Sequence, residues 1–510
     1  MGKIQTVEIQ RFDGGIASDP RSKDFSSCAM MKHFDCLTSP NRLLPWGGVE
    51  ADTTGQSEIG HIIIGSTGVL FGLGGDPGNP GNQEIYTKSS GADPNSDWDD
   101  IANTLSGKAV NYKLFVEYKD YLYTADANRY IMRFDRTGVA SVDTTYSDLT
   151  SFTNIAQGVI HPKDDILYIP YDNKIWSLNG HGGTPTLAAL TLPSTRKIVG
   201  IAPYGNFLAI ATVPTTGGTV SQASIVYLWD RDTSLTTVSE SLNFGGGYIG
   251  AFGNLNDTLI AVMTSGTNSI YNRNRNSLVI KGYNGGSPFL IKEIYCAQAS
   301  INPRVATTSG DKFYYSAVIS QDNGGTQTST DVGVWSVYKN SRGAWATTID
   351  RLITSDNSDY TFGVLSAAIS NSYCSAVGPT VGTLTITVAS ETDFTVASEY
   401  HSLIFGALNL GGSHTKKLLS VSVFYEPLPT AGSVTVKYRK DENISATGSY
   451  TTIFTDSTDN SISHTAVNIE SSGATLPQGK EFQFLIQSTG GAIITGLRAT
   501  FEDIEKDVYA

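Results

Sequence analysis

Asp120-Tyr121-Leu122-Tyr123, then Tyr130-Ile131-Met132-Arg133-Phe134, then Asp135-Arg136-Thr137-Gly138: a polar turn, an apolar strand, a second strand ending on an aromatic, and a closing turn. Alternating aromatic and β-branched residues stopped by Gly, Asn and Asp, which tolerate φ > 0, read as hairpin strands rather than helix. The same phrase recurs along the chain. Gly68, Asp120, Asp165, Asn206, Asp257 and Asp311 lead into Val69-Leu70-Phe71, Tyr121-Leu122-Tyr123, Ile166-Leu167-Tyr168, Phe207-Leu208-Ala209-Ile210, Thr258-Leu259-Ile260-Ala261 and Phe313-Tyr314-Tyr315. The intervals are 52, 45, 41, 51 and 54 residues, and an echo follows 48 later at Asp359-Tyr360-Thr361-Phe362.

A period in the forties and fifties with several strands per repeat is the spacing of β-propeller blades. The returning strands include Lys174-Ile175-Trp176-Ser177-Leu178, Ile225 to Trp229, Leu278 to Tyr283 and Val332 to Tyr338. Six or seven blades fit residues 55–374, with inner strands starting just after the turn residues. Leu122, Leu167, Leu208 and Leu259 should then be buried and equivalent. A sandwich or β-helix with coincidental spacing is the competing architecture.

Composition agrees with a turn-rich β protein: 52 Gly and 25 Tyr against 5 Met in 510 residues. There is no run of eighteen apolar residues for a membrane span and no secretory leader at the start. Met1-Gly2-Lys3-Ile4-Gln5-Thr6 matches the loose myristoylation pattern, which is common by chance. Cys28, Cys36, Cys296 and Cys374 are scattered as ordinary thiols, with no metal spacing. The net charge of −13, without a basic stripe, opposes sequence-specific nucleic-acid binding.

The flanks use a different grammar. Residues 375–510 are rich in Thr and Ser, with strands at Leu384 to Val388, Leu418 to Tyr425, Val434 to Tyr438, Phe482 to Ile486 and Ile493 to Phe501. Pro427, Pro429 and Gly432 mark one turn, and Gly490-Gly491 another. This reads as a separate antiparallel β-sandwich. Residues 1–54 hold Phe12-Asp13-Gly14-Gly15-Ile16, Ala29 to Asp35 and Leu43-Leu44-Pro45-Trp46-Gly47-Gly48. They are too rich in Gly and Pro for regular structure, yet too apolar for a disordered tail. An extended arm that docks on its own propeller or on a neighbouring copy is expected, through Phe12, Gly14, Gly15, Ile16, Phe34, Pro45 and Trp46. Removing it should leave a folded propeller and sandwich that cannot assemble.

The aromatic-x-Gly-Gly-Ile start, the Asp19-Pro20 that follows and the Leu44-Pro45-Trp46-Gly47 close resemble the amino terminus of tail nozzle and hub proteins of short-tailed bacteriophages. The resemblance covers some fifty residues closely and the rest in architecture only. The family's usual Arg-Pro is Leu44-Pro45 here, with Arg42 earlier. The resemblance implies a β-propeller virion protein in a homo-oligomeric ring, a hexamer, below the adaptor of the tail. Its partners would be copies of itself, the tail adaptor and other tail proteins, and genomic DNA that passes without tight binding. It would be made in the host cytoplasm and reside in the virion tail.

Catalytic signals are sparse. Ser329-Thr330-Asp331-Val332-Gly333-Val334-Trp335 comes one position short of the sialidase turn, and occurs once. Trp229-Asp230 matches a WD dipeptide in one repeat only. The glycine-rich Gly72 to Gly81 lacks the lysine and helix of a phosphate loop and reads as a surface loop. Asp99-Asp100 and Asp164-Asp165 sit beside turns, where aspartate caps backbone. His181 and Asp172 could meet at a blade edge. The reading is a non-enzymatic structural protein without cofactor or metal; the alternative is a glycan-binding or glycan-degrading propeller acting on host surface polysaccharide, at a tail tip or fibre.

Overall fold

Turn chemistry sets the local structure. In the computed structural model, Gly68, Asp120, Asp165 and Asp257 all have positive φ, and Lys119 and Asn256 extend this to both central residues of a two-residue hairpin turn. The structure describes residues 3–504 except 19–20, 46–48, 52–58, 77–78, 90–98, 101–106, 109, 137–141, 216–222, 236, 265–275, 297, 321–329, 355–360, 368–371, 378–383, 390–396, 407–409, 411–414, 442–449 and 468–475.

The architecture is all-β and propeller-like, built from four-stranded antiparallel meanders. The second is typical: Val110–Tyr118, Tyr121–Asp126, Tyr130–Asp135 and Val142–Asp148 pair in order. Others run over residues 59–100, 159–191, 196–245 and 248–296. A sixth meander, Gln298–Ser309, Lys312–Ser320, Thr330–Lys339 and Trp345–Thr354, continues into a larger sheet. In the last, Thr361–Ala367, Ser372–Val377 and Leu384–Ala389 take their fourth strand, Val49–Ala51, from the amino-terminal end.

Leu122, Leu167, Leu208 and Leu259 are fully buried and share one register. Each is the second residue of its strand and faces Phe134, Leu178, Trp229 or Tyr283 across the meander. Truncating any one to alanine should cost about 2–5 kcal/mol, read from the urea midpoint. These strands are not the inner ones, however. The strand preceding each turn packs against its counterparts in neighbouring meanders: Arg196–Tyr204 on Tyr248–Leu255, that strand on Gln298–Ser309, and Thr361–Ala367 on Ile59–Ile64. Of the echo at Asp359-Tyr360-Thr361-Phe362, Asp359 and Tyr360 lie outside the described residues, and Thr361 opens a first strand rather than a second.

Adjacent meanders are also clasped through arginine. Arg136, just past its third strand, bonds Asp120 of its own turn (2.9 Å) and Ser66 of the preceding meander's turn (3.0 Å). Arg231 repeats this, reaching the Asn206 carbonyl and the Asp164 carboxylate, both at 2.6 Å. A forked guanidinium with five donors can serve two turns at once.

The carboxy-terminal region holds two sheets. One pairs Ile4–Ile9, Ile494–Ile504, Thr415–Tyr425 and Ser463–Val467 in order. The other continues from Trp345–Thr354 through Met30–Lys32, Ser398–His401, Phe482–Thr489 and Ser433–Lys440 to Thr451–Asp456. Phe482 and Phe501, one from each sheet, meet at 5.4 Å. The sequence boundary at 374/375 therefore falls inside the strand Ser372–Val377, and Leu384–Ala389 belongs to the last meander. Alternation marks a strand but not which sheet receives it. Likewise Gly72 to Gly75 are paired strand, Gly72 opposite Tyr86 and Gly74 opposite Glu84, rather than a surface loop.

Candidate functional site: the amino-terminal seam

Residues 11–45 run between the sixth meander and the carboxy-terminal sheets, and each part of Phe12-Asp13-Gly14-Gly15-Ile16 has a separate task. Phe12 is fully buried, edge-on to Tyr400 at 5.3 Å. Asp13 is buried and ion-paired with Arg11 at 2.9 Å; it also accepts from Ser341 at 2.9 Å, on the turn closing the sixth meander. Gly14 and Gly15 allow the close approach: a Cβ on Gly14 would lie 2.6 Å from Ser27 Oγ, and one on Gly15 2.7 Å from the Thr347 carbonyl. Gly15 also has φ +65°, which favours glycine. The Ile16 amide donates to Thr347 O at 2.9 Å, and its side chain is buried.

Farther along, the three residues Met30–Lys32 splice the sixth meander to the carboxy-terminal strands within one sheet. Lys32 pairs in parallel with Ile349, while Met30, Met31 and Lys32 pair antiparallel with His401, Tyr400 and Glu399. Phe34 is buried and stands opposite Pro45, itself half-buried, in a two-residue hairpin. Leu43 exchanges backbone bonds with Ile494. Trp46 lies outside the described residues. Of the seven residues expected to dock on the propeller or on a neighbouring copy, the other six pack within this chain. Phe12, Ile16 and Phe34 share one core with Trp335, Phe482 and Phe501.

A buried polar network fastens the seam. Lys312 Nζ lies 2.9 Å from Asp350 and 3.8 Å from Asp35 of the amino-terminal segment. Ser336 and Thr348 donate to the same Asp350 oxygen at 2.6 and 2.7 Å. Burial lowers the Lys312 pKa, but the two carboxylates outweigh this and hold it above its ordinary value. Cys36 contacts Tyr338 Oη at 3.0 Å, and burial pushes its thiol up to about 12; Cys28, also free and buried, moves the same way. Such thiols are poor nucleophiles. Lys312, Asp350 and Asp13 were not singled out from sequence; the one available signal was an aspartate placed between an aromatic and two glycines.

Beside the seam, Glu399 contacts His401 (3.2 Å) and Lys32 (3.8 Å) and accepts from Gln487 (2.8 Å). Burial raises the Glu399 pKa, but His401, Lys32 and Gln487 bring it down to about 2. For His401 burial dominates, lowering its pKa despite Glu399. Both shifts act in one direction. The Glu399 contribution is present above its ordinary 4.5 and fades as pH falls toward 2, while His401 begins to favour the unfolded chain below its ordinary 6.5. The urea midpoint should therefore decline steadily on acidification, and Glu399→Gln should flatten the part below pH 4.5.

The remaining sequence candidates are engaged elsewhere. His181 stacks on Tyr121 at 5.2 Å, whereas Asp172 accepts from Thr153. Ser329 is outside the described residues, and Thr330 to Trp335 are strand rather than the sialidase turn. Among the described residues, no three His, Cys, Asp or Glu side chains converge as metal ligands, and no helix is long and apolar enough to cross a membrane.

No protein-family model and no curated protein matches this sequence. Among solved structures the chain is similar to YCF48 bound to a D1 peptide, with 10% identity over 69% of this chain and 97% of that one, and a TM-score of 0.44. It is also similar to a puromycin-hydrolyzing peptidase of Mycobacterium tuberculosis, with 11% identity over 67% of this chain and a TM-score of 0.42. This chain spans 55% of the peptidase's length. A third likeness is to the computationally designed Ika8 protein, at 11% identity and TM-score 0.35, covering 67% of this chain and 99% of that one.

Proposed function

We propose that this chain is a structural component of a tailed-phage virion, a nozzle or hub ring protein around the DNA exit channel. In this reading it is a seven-bladed propeller whose last blade is closed by Val49–Ala51, with a carboxy-terminal sandwich, and it assembles as a hexamer on the tail adaptor. The observation that carries the reading is the seam. The segment that resembles nozzle proteins supplies the strands that join the propeller-like meanders to the carboxy-terminal strands, a use suited to a part that transmits force rather than to a catalytic one. Six copies would carry a formal charge of 6 × −13 = −78. An acidic channel repels phosphate and lets DNA slide.

The test is mass spectrometry of purified particles together with native mass spectrometry of the free protein. Presence in the tail and a ring stoichiometry are expected, with no DNA retention at physiological salt. Absence from particles, or tight salt-sensitive DNA binding, would remove the proposal.

A further inference from the structure

A groove of about 700 Å³ opens where the strand Ile4–Ile9, residues 41–42, and the strands Thr415–Tyr425 and Ile494–Ile504 come together. Three arginines line it, Arg11, Arg42 and Arg498, on a chain whose net charge is −13. Their side chains are 42%, 51% and 45% exposed, and each is held by one carboxylate: Asp13 at 2.9 Å, Glu426 at 2.9 Å and Glu8 at 2.7 Å. These ion pairs orient the guanidinium planes but occupy only some of the five donors on each. Arg498 additionally lies over the Phe424 ring at 5.3 Å from its centroid. Gly496 keeps this arrangement low, because a Cβ there would come within 3.2 Å of Phe424. Gln10 and Asn41 add planar amides to the lining.

We propose that this groove binds an acidic saccharide, a chain of sugar rings bearing carboxylates. The inference stands on the groove alone and goes beyond the ring reading above. Asp13, Glu426 and Glu8, the last itself in the lining, balance the three guanidinia, so a ligand would engage the donors they leave over, and fixed guanidinia suit carboxylates in bidentate geometry. Phe424, with Arg498 already over its ring, adds apolar surface beside these planar polar groups for the carbon skeleton of a sugar. The groove's arginines stay half-exposed, whereas a protein partner buries its anchors in a desolvated centre.

The experiment is calorimetric titration of the full chain with oligogalacturonate, with neutral dextran oligosaccharides and with polyglutamate, at about 0.15 M salt. Oligogalacturonate should bind and dextran should not. Arg42→Gln and Arg498→Gln should each weaken binding about tenfold, the loss expected for one charge-assisted hydrogen bond, with an unchanged circular dichroism spectrum. Absence of oligogalacturonate binding, or affinity untouched by both substitutions, would overturn the proposal. So would polyglutamate binding equally well, which would make the groove a docking site for acidic protein segments.

Discussion

Deleting residues 1–50 is expected to abolish cooperative folding of the whole chain, not merely its assembly. Phe12, Ile16, Met30, Met31, Phe34 and Leu43 are each no more than 4% exposed, and all lie in the core shared with the carboxy-terminal sheets. At about 1.5–3 kcal/mol for each large side chain withdrawn from water, the six together contribute about 9–18 kcal/mol. That is comparable to the roughly 5–15 kcal/mol by which a folded domain is stable. Backbone pairing is lost as well: Ile4 to Ile9 with Leu497 to Glu502, Met30 to Lys32 on both neighbours, and most of the strand that completes the last meander. The truncated chain should show collapsed or aggregated material by size exclusion and no sharp urea transition. A monomeric product with an unaltered β spectrum and transition would show that the seam is dispensable.

The second large effect is expected from Asp350→Ala. The mutation leaves Lys312, whose side chain is 9% exposed, without its closest carboxylate, and leaves Ser336 and Thr348 without their shared acceptor. Removing one member of a buried pair typically costs about 3–5 kcal/mol, because the remaining charge stays withdrawn from water with its nearest opposite charge gone. Asp35, at 3.8 Å, compensates only in part. A raised lysine pKa stabilises the fold at all pH values below the ordinary 10.5 and is lost above it, so urea unfolding at neutral pH reports the full effect. The double variant Lys312→Met, Asp350→Leu should recover much of the loss, since it removes both charges together. A double variant as unstable as Asp350→Ala would show that packing, not charge, governs the site.

Much of the local structure was legible before any coordinates. Gly68, Asp120, Asp165 and Asp257 marked turns because few other residues tolerate positive φ, and four leucines at one offset marked a buried register. Other features could not be read. Met30–Lys32 is too short to show alternation, yet it joins the sixth meander to the carboxy-terminal strands. The turn-to-strand period carries no phase, so it does not reveal that the strand before each turn is the one that meets the neighbouring meanders. The candidate groove was equally hidden, since Arg11, Arg42 and Arg498 lie hundreds of residues apart in part and share no motif.

The sequence by itself determined the hairpins, because a turn and its two strands interact over a few residues and their preferences are written in φ, side-chain branching and alternation. Only the tertiary structure decided which edges meet. Ile4 opposite Glu502, Val49 opposite Ala389 and Lys312 beside Asp350 depend on shape and burial created when distant hairpins come together. A strand edge offers the same unpaired N–H and C=O groups to any partner, so its final neighbour is selected by packing rather than spelled in its own residues.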